Sequence, residues 1–211
     1  MKRCVIFGGG EIADLDYVRR QLRQDDIIIC ADRGYVYCQE LACCPDLVLG
    51  DFDSYFGELP ADCEVLHYPV EKDDTDTMIA IKESIRRGYD EILMVGMLGG
   101  RLDHTIANIQ SLVYAAEHGL CAQILDKGCR ITVIRDGQSV VVPCEEGYHF
   151  SVFSHTDRAC GVSIRHAKYE LEGADITNRF PIGVSNHFLP GEDAQISVRE
   201  GTLVIIANQG E

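Results

Sequence analysis

The chain has 211 residues, 46% of them hydrophobic, enough material for one large core or two smaller ones. Nineteen basic against thirty-four acidic residues leave a formal charge of −15, which argues against a nucleic-acid surface or a patch for anionic membranes. No stretch approaches the roughly 18 apolar residues of a membrane span, and Met1-Lys2-Arg3 leads into a short strand-like run instead of a signal sequence, so a cytoplasmic protein is expected.

Strand-like and helical runs alternate from the start. Cys4 to Phe7 is followed by a helical Ile12 to Leu22, Ile27 to Ala31 by Tyr35 to Leu41, and then come Leu47 to Leu49 and Val65 to His67. Thr75 to Arg87 reads as a helix with Met78, Ile81 and Ile85 on one face, Asp74 as N-cap and Gly88 as its stop. Glu91 to Val95, the helix Leu102 to His118 and Ala122 to Leu125 complete a series that predicts a parallel α/β sheet, helices on both faces, over residues 1–127.

Past Lys127 the period changes. Ile131 to Ile134, Val140 to Val142, His149 to Phe153, Val162 to Arg165, Ala194 to Val198 and Leu203 to Ala207 are short alternating runs. Asp136-Gly137, Glu146-Gly147, Pro190-Gly191 and Glu200-Gly201 punctuate them, which predicts an antiparallel sandwich or barrel over residues 128–211. The ten cysteines show no C-x-x-C and no zinc-type pairing with histidine, so buried, reduced thiols are expected.

Open parallel sheets place their ligands at the carboxyl ends of the strands, and the acidic motifs fall there. Gly50-Asp51-Phe52-Asp53-Ser54 follows a strand; in extended chain Asp51 and Asp53 point the same way. Two carboxylates about 5 Å apart repel by roughly 3 kcal/mol at an effective dielectric of about 20, enough to require a cation, a proton or a splayed geometry. The plainer alternative is a turn in which one aspartate caps backbone amides.

Lys72-Asp73-Asp74-Thr75-Asp76-Thr77 heads the next helix, where the helix dipole alone would favour acids. Together the two loops could hold one or two Mg²⁺ ions, which take oxygen ligands and bridge carboxylates to substrate phosphates. Gly99-Gly100-Arg101-Leu102-Asp103-His104 offers close backbone approach, a helix N-terminus and a guanidinium for phosphate oxygens, with Asp103 alternatively a simple N-cap. Asp32-Arg33-Gly34 adds an acid and a base at the same sheet edge, while Gly8-Gly9-Gly10 lacks both the dinucleotide and the Walker spacing and reads equally as a tight turn.

Ala31-Asp32-Arg33-Gly34, the two acidic motifs, the Gly-Gly-Arg-Leu-Asp-His motif and Gly183-Val184-Ser185-Asn186 occur in the order found in thiamine pyrophosphokinases, and this chain resembles that family over nearly its whole length. The resemblance implies a Rossmann-like parallel α/β N-terminal domain followed by a C-terminal antiparallel β-sandwich, a reaction in which the thiamine hydroxyethyl oxygen attacks the β-phosphorus of ATP and AMP leaves, and a homodimer with active sites between subunits. Asp51, Asp53 and Asp76 would then be the carboxylates that handle Mg²⁺ and ATP, with Asp73 a further catalytic acid. Asp32, Arg101, Asp103 and His104 would bind ATP, and Ser185 and Asn186 would line the thiamine pocket. His187 and Tyr169-Glu170-Leu171 depart from the family pattern. A hydroxymethylpterin diphosphokinase or a metal-dependent phosphohydrolase would use similar acids; Gly183 to Asn186 favours thiamine.

Overall fold

The computed structural model describes residues 1–53, 55 and 57–210; Ser54 of the first acidic motif lies outside the described residues. The chain divides into two compact units, Met1–Lys127 and Gly128–Glu211.

The first unit contains β1 (Arg3–Phe7), α1 (Leu15–Gln21), β2 (Ile27–Ala31), α2 (Gly34–Glu40), β3 (Leu47–Gly50) and β4 (Glu64–His67), then α3 (Asp76–Arg86), β5 (Glu91–Val95), α4 (Leu102–Glu117) and β6 (Cys121–Asp126). Its strands run in the order β6-β5-β1-β2-β3-β4, and every pairing is parallel. Every residue of β1 and β3 is buried. Helices cover both faces of such a sheet, so its central strands need unbroken apolar runs, which is the pattern the sequence shows. Even Arg3 is buried there, its guanidinium forked onto Asp26 and bonded to the Gln21 carbonyl. Breaking one side of such a pair strands the other charge in the interior.

Chain order and sheet order together locate a special point. From β1 the chain winds outward through β2, β3 and β4, then returns to lay β5 on the other side of β1. The loops after β1 and β5 therefore diverge onto opposite faces, leaving a crevice between them. Two hydrogen bonds seam the crevice floor: Gly8 donates to the Val95 carbonyl and Gly10 to the Gly96 carbonyl.

One helix start differs from the expected one. Thr75, not Asp74, caps α3: its backbone is extended and its hydroxyl accepts from the Met78 N–H at 3.1 Å. Asp74 instead pairs with Lys82 at 2.6 Å.

The second unit is entirely β among its described residues: β7 (Cys129–Arg135), β8 (Ser139–Val142), β9 (Tyr148–Ser154), β10 (Arg158–Arg165), β11 (Leu171–Thr177), β12 (Asn186–His187), β13 (Ala194–Ser197) and β14 (Thr202–Gln209). Two antiparallel sheets, β12-β9-β14-β7 and β11-β10-β13-β8, enclose a core to which both contribute, including Phe150, Val152, Val162, Ile164, Ile196, Leu203 and Ile205. The period-two spacing of these residues is the sandwich signature. The strands β11 and β12 are absent from the sequence-based reading. Both lie at sheet edges, and β11 buries only Ile176, so neither carries the alternation that betrays a strand.

All ten cysteines are free thiols, but only Cys4, Cys30 and Cys38 are buried, while Cys44 and Cys121 are exposed. Burial pushes the Cys4 thiol up to about 12, so it is inert at neutral pH.

Candidate active site

At the crevice between the β1 and β5 loops lies a cavity of about 690 Å³. Its walls come from the loop after β1 (Gly9, Gly10, Glu11), the end of β2 and its loop (Ala31, Asp32, Arg33), the head of α3 (Thr75 to Thr77), and the loop after β5 with the first turns of α4 (Gly96 to Arg101, His104, Ala107, Asn108). Four of the sequence-predicted residues, Asp32, Asp76, Arg101 and His104, face it.

Asp32 also belongs to a second grouping. Its carboxylate, with those of Asp51 and Asp53, supplies oxygens that all lie within 4.8 Å of one another. The local fold explains the gathering. Asp32 donates its N–H to the Leu49 carbonyl, and Gly50 packs so close that a Cβ there would sit 3.1 Å from the Asp32 Cα. Gly50 itself has φ +151°, so a side chain at this position would be strained as well as crowded.

Asp51 and Asp53 come together by a route other than strand alternation. Phe52 has φ +59°, and this left-handed residue folds the chain so that the Asp53 N–H reaches the Asp51 Oδ1 at 3.1 Å. The ring of Phe52 packs edge-on to His67, 4.9 Å between centroids, which holds the turn. Asp32, at φ +49°, is left-handed too. Non-glycine residues pay about 1–3 kcal/mol for such conformations and keep them where the surroundings over-determine them, commonly at functional sites.

Lys72 ties the second acidic motif to the first. Its Nζ lies 3.0 Å from Asp51 Oδ2 and 2.8 Å from Asp76 Oδ1, with the lysine side chain 13% exposed. The Asp53 N–H holds the Asp51 carboxyl below the usual range, with Lys72 assisting. Burial pushes the Asp76 carboxyl upward against the pull of Lys72. Burial would lower the Lys72 ammonium, but its two carboxylate partners outweigh that and raise it.

The chemistry of this donor set fits a hard divalent cation. Three carboxylates converge, and the buried Asp76 Oδ1 has the Lys72 ammonium, at 2.8 Å, as its contact. Mg²⁺ takes oxygen ligands of this type and shares them with substrate phosphates.

The remaining predicted residues are placed as follows. Asp73 is exposed and does not line the cavity. Arg101 forks onto Asp103 through Nε and Nη2, at 3.1 and 2.6 Å, with both side chains largely exposed. A surface pair of this kind contributes little to stability, so the guanidinium can be exchanged onto an anion cheaply. Asp103 is not the N-cap of α4; that position is Arg101, and Asp103 sits in the first turn, accepting from the His104 N–H. Lys72, Thr77, Met97 and Asn108 were not singled out from the sequence, although the Lys72-to-Asp76 spacing was a usable signal. Asn108 donates to the Met97 carbonyl at 2.8 Å, and Thr77 reaches the Met97 sulfur, so these residues fasten the cavity wall.

In the second unit, Gly183 approaches β9 so closely that a Cβ would meet the Val152 carbonyl oxygen at 2.1 Å. Ser185 is exposed and left-handed, φ +56°, with its N–H on the Ser151 hydroxyl. Asn186 is buried at 4% exposure. Its Oδ1 accepts from the N–H groups of Tyr169 and His187, and its Nδ2 donates to the Tyr169 carbonyl. Its amide is thus largely spent on the backbone, and Ser185 is the member of the pair whose side chain stands at the surface.

Comparison with known proteins converges on one family. The model described as "Thiamin pyrophosphokinase, catalytic domain" matches residues 18–124, and "Thiamin pyrophosphokinase, vitamin B1 binding domain" matches residues 130–203. The thiamine pyrophosphokinase of Bacillus subtilis (strain 168) is 25% identical over 211 residues, covering 98% of each chain. Among solved structures, the thiamine pyrophosphokinase of Bacillus subtilis superposes with a TM-score of 0.87 at 23% identity, covering 100% of both chains. That of Geobacillus thermodenitrificans gives 0.80 at 26% identity, covering 99% of this chain and 97% of its own. The thiamin pyrophosphokinase of Candida albicans keeps the fold, at a TM-score of 0.77, with only 13% identity over 99% of this chain and 89% of its own.

Proposed function

The chain belongs to the thiamine pyrophosphokinase family, and from that premise we propose that it transfers the diphosphoryl group of ATP to the hydroxyethyl oxygen of thiamine, giving AMP and thiamine diphosphate. The observation that carries the reading is a carboxylate cluster at the edge of a cavity in the crevice of the parallel sheet, within the segment that matches the catalytic domain. The vitamin B1 binding match over residues 130–203 disfavours a pterin alcohol as acceptor and a plain phosphohydrolase.

Phosphoryl transfer asks a protein mainly for positioning and charge stabilisation. We assign the ATP phosphates to this cavity, whose lining includes Asp32, Asp76, Gly99, Gly100 and Arg101. The glycine backbone permits close approach there, and Arg101 turns from Asp103 onto phosphate oxygens. Asp32, Asp51, Asp53 and Asp76 would hold Mg²⁺, which when bound offsets phosphate charge and aligns the group being transferred. A carboxylate of the same set accepts the proton that the thiamine hydroxyl loses. Ser185 offers its hydroxyl to thiamine, and Asn186 fixes the segment that presents it.

We further assign the working form as a homodimer with the active site at the subunit interface. Leu102 and Ile106 stand exposed on the helix that walls the cavity, and Phe180, Ile182 and Val184 stand exposed just before Ser185. Apolar side chains clustered beside functional segments are what an interface leaves bare in one isolated chain. No helix among the described residues is long and apolar enough to cross a membrane.

The test is incubation with Mg²⁺, ATP and thiamine, products resolved against a control lacking thiamine. Thiamine-dependent AMP with an equal amount of thiamine diphosphate is expected; ADP and phosphate formed regardless of thiamine would overturn the assignment.

A further inference from the structure

Lys72 has no role in the reading above, yet it is the cation that offsets the carboxylate cluster. Its stem is largely buried, and its ammonium bridges Asp51 and Asp76, whose side chains are only 12% and 25% exposed. Asp51 is at the same time within 4.8 Å, oxygen to oxygen, of Asp32 and Asp53. Carboxylates so crowded and so little solvated need a counter-charge if they are to remain ionised together.

A divalent cation that bridges Asp51 and Asp76 through Asp51 Oδ2 and Asp76 Oδ1 would take the oxygens that the ammonium now contacts. Asp76 Oδ1 has no hydrogen bond that would keep it occupied once Lys72 leaves. The ammonium is a compact charge on a flexible four-carbon stem and keeps no fixed plane. Lys72 itself sits in the loop between β4 and α3, outside regular structure, so its departure breaks no ladder or helix.

We propose that Lys72 is a displaceable counter-cation of the active site: it holds Asp51 and Asp76 together in the metal-free protein, and a divalent metal must expel its ammonium to bind. This rests on the metal assignment made above. Metal affinity is then set by competition between the two charges, and Lys72 acts as a positioning residue through the carboxylates.

The experiment is a calorimetric titration of metal-stripped protein with Mn²⁺ alone, without nucleotide, for the wild type, Lys72→Met and Lys72→Arg. Removing the competing charge should make Lys72→Met bind Mn²⁺ about tenfold more tightly or better, while Lys72→Arg, which keeps the charge, stays near the wild type. Metal-free Lys72→Met should melt below the wild type, and Mn²⁺ should raise its melting temperature by more. A purely structural lysine would give equal or weaker Mn²⁺ affinity in Lys72→Met, which overturns the proposal.

Should Lys72→Met not fold, the wild type still decides the matter. Acetic anhydride labelling of Lys72, read by mass spectrometry, should increase when Mn²⁺ saturates the protein, and unchanged labelling overturns the proposal. A wild type that takes up no Mn²⁺, with or without ATP, overturns the metal assignment itself.

Discussion

The two units use polar side chains in opposite ways. In the first, Asp32, Asp51 and Asp53 converge, Asp32 and Asp76 face a cavity, and Lys72 bridges Asp51 to Asp76 and offsets part of the mutual repulsion. In the second, Asn186 turns toward the backbone and spends its amide on Tyr169 and His187. The first arrangement stores unmet electrostatic demand for a ligand to satisfy, whereas the second is already satisfied and holds a segment in shape. Substitutions should therefore separate cleanly: activity without stability in the first unit, stability with activity in the second.

The largest effect should come from Asp51→Asn. Removing one carboxylate of the cluster should lower turnover by about 100-fold or more, because positioning and charge are most of what catalysis needs here. The melting temperature should move little, since a repulsive neighbour is lost along with the Lys72 pair. Asp53→Asn and Asp76→Asn should behave alike. Near-wild-type turnover in all three, measured by AMP release, would erase the contrast from the catalytic side.

Asn186→Ala tests the other side. It leaves the Tyr169 N–H and carbonyl and the His187 N–H without their partner; because Tyr169 and His187 are themselves exposed and water can reach part of these groups, the cost is about 1–2 kcal/mol. Chemical denaturation would show it as a lower midpoint for the second unit. An unchanged midpoint together with lost thiamine binding would mean that Asn186 contacts the vitamin directly, and that the two units are less different than the hydrogen bonds imply.

How much of this contrast was legible in the sequence follows from the same physics. The parallel half read closely, Ile27–Ala31 and Glu91–Val95 to the residue, because strands buried on both faces are continuous apolar runs bounded by polar ones. The acidic motifs were legible because carboxylates after successive parallel strands have few other reasons to accumulate. Their geometry was not: Phe52 departs from extended backbone, and nothing in its identity announces φ +59°. Lys72 pairs locally with Asp76, four residues on, but its bridging role was hidden because its other partner, Asp51, lies 21 residues away. Edge strands β11 and β12 escaped for want of an apolar face, and the role of Asn186 was hidden because an amide suits a ligand and a backbone equally well.

Ser185→Ala should give a smaller, more selective effect. Its hydroxyl is exposed and its N–H, held by Ser151, survives the substitution. Loss of one neutral hydrogen bond should weaken thiamine binding by roughly threefold to tenfold and leave ATP binding unchanged. Equal losses for both substrates in calorimetric titrations would show that the acceptor lies elsewhere.

The smallest effect, at Asp136, asks whether fold-holding polar groups in the second unit also include charged ones. Asp136 and Gly201 bond reciprocally: the Asp136 N–H donates to the Gly201 carbonyl, and the Gly201 N–H donates to the Asp136 carboxylate at 2.9 Å. The Gly201 N–H, and then Arg135, hold this carboxyl below its ordinary value of 3.8. A depressed carboxyl stabilises the fold above the ordinary value and loses that contribution as pH falls through its folded value. Asp136→Asn should therefore be less stable than the wild type near pH 7 by about 0.5 kcal/mol, the hydrogen-bond value reduced for solvent screening, and the difference should shrink as pH falls below the ordinary carboxyl value of 3.8. A gap that persists in acid would mean that the carboxylate charge is irrelevant at this turn and that the hydrogen bond to Gly201 alone carries the effect.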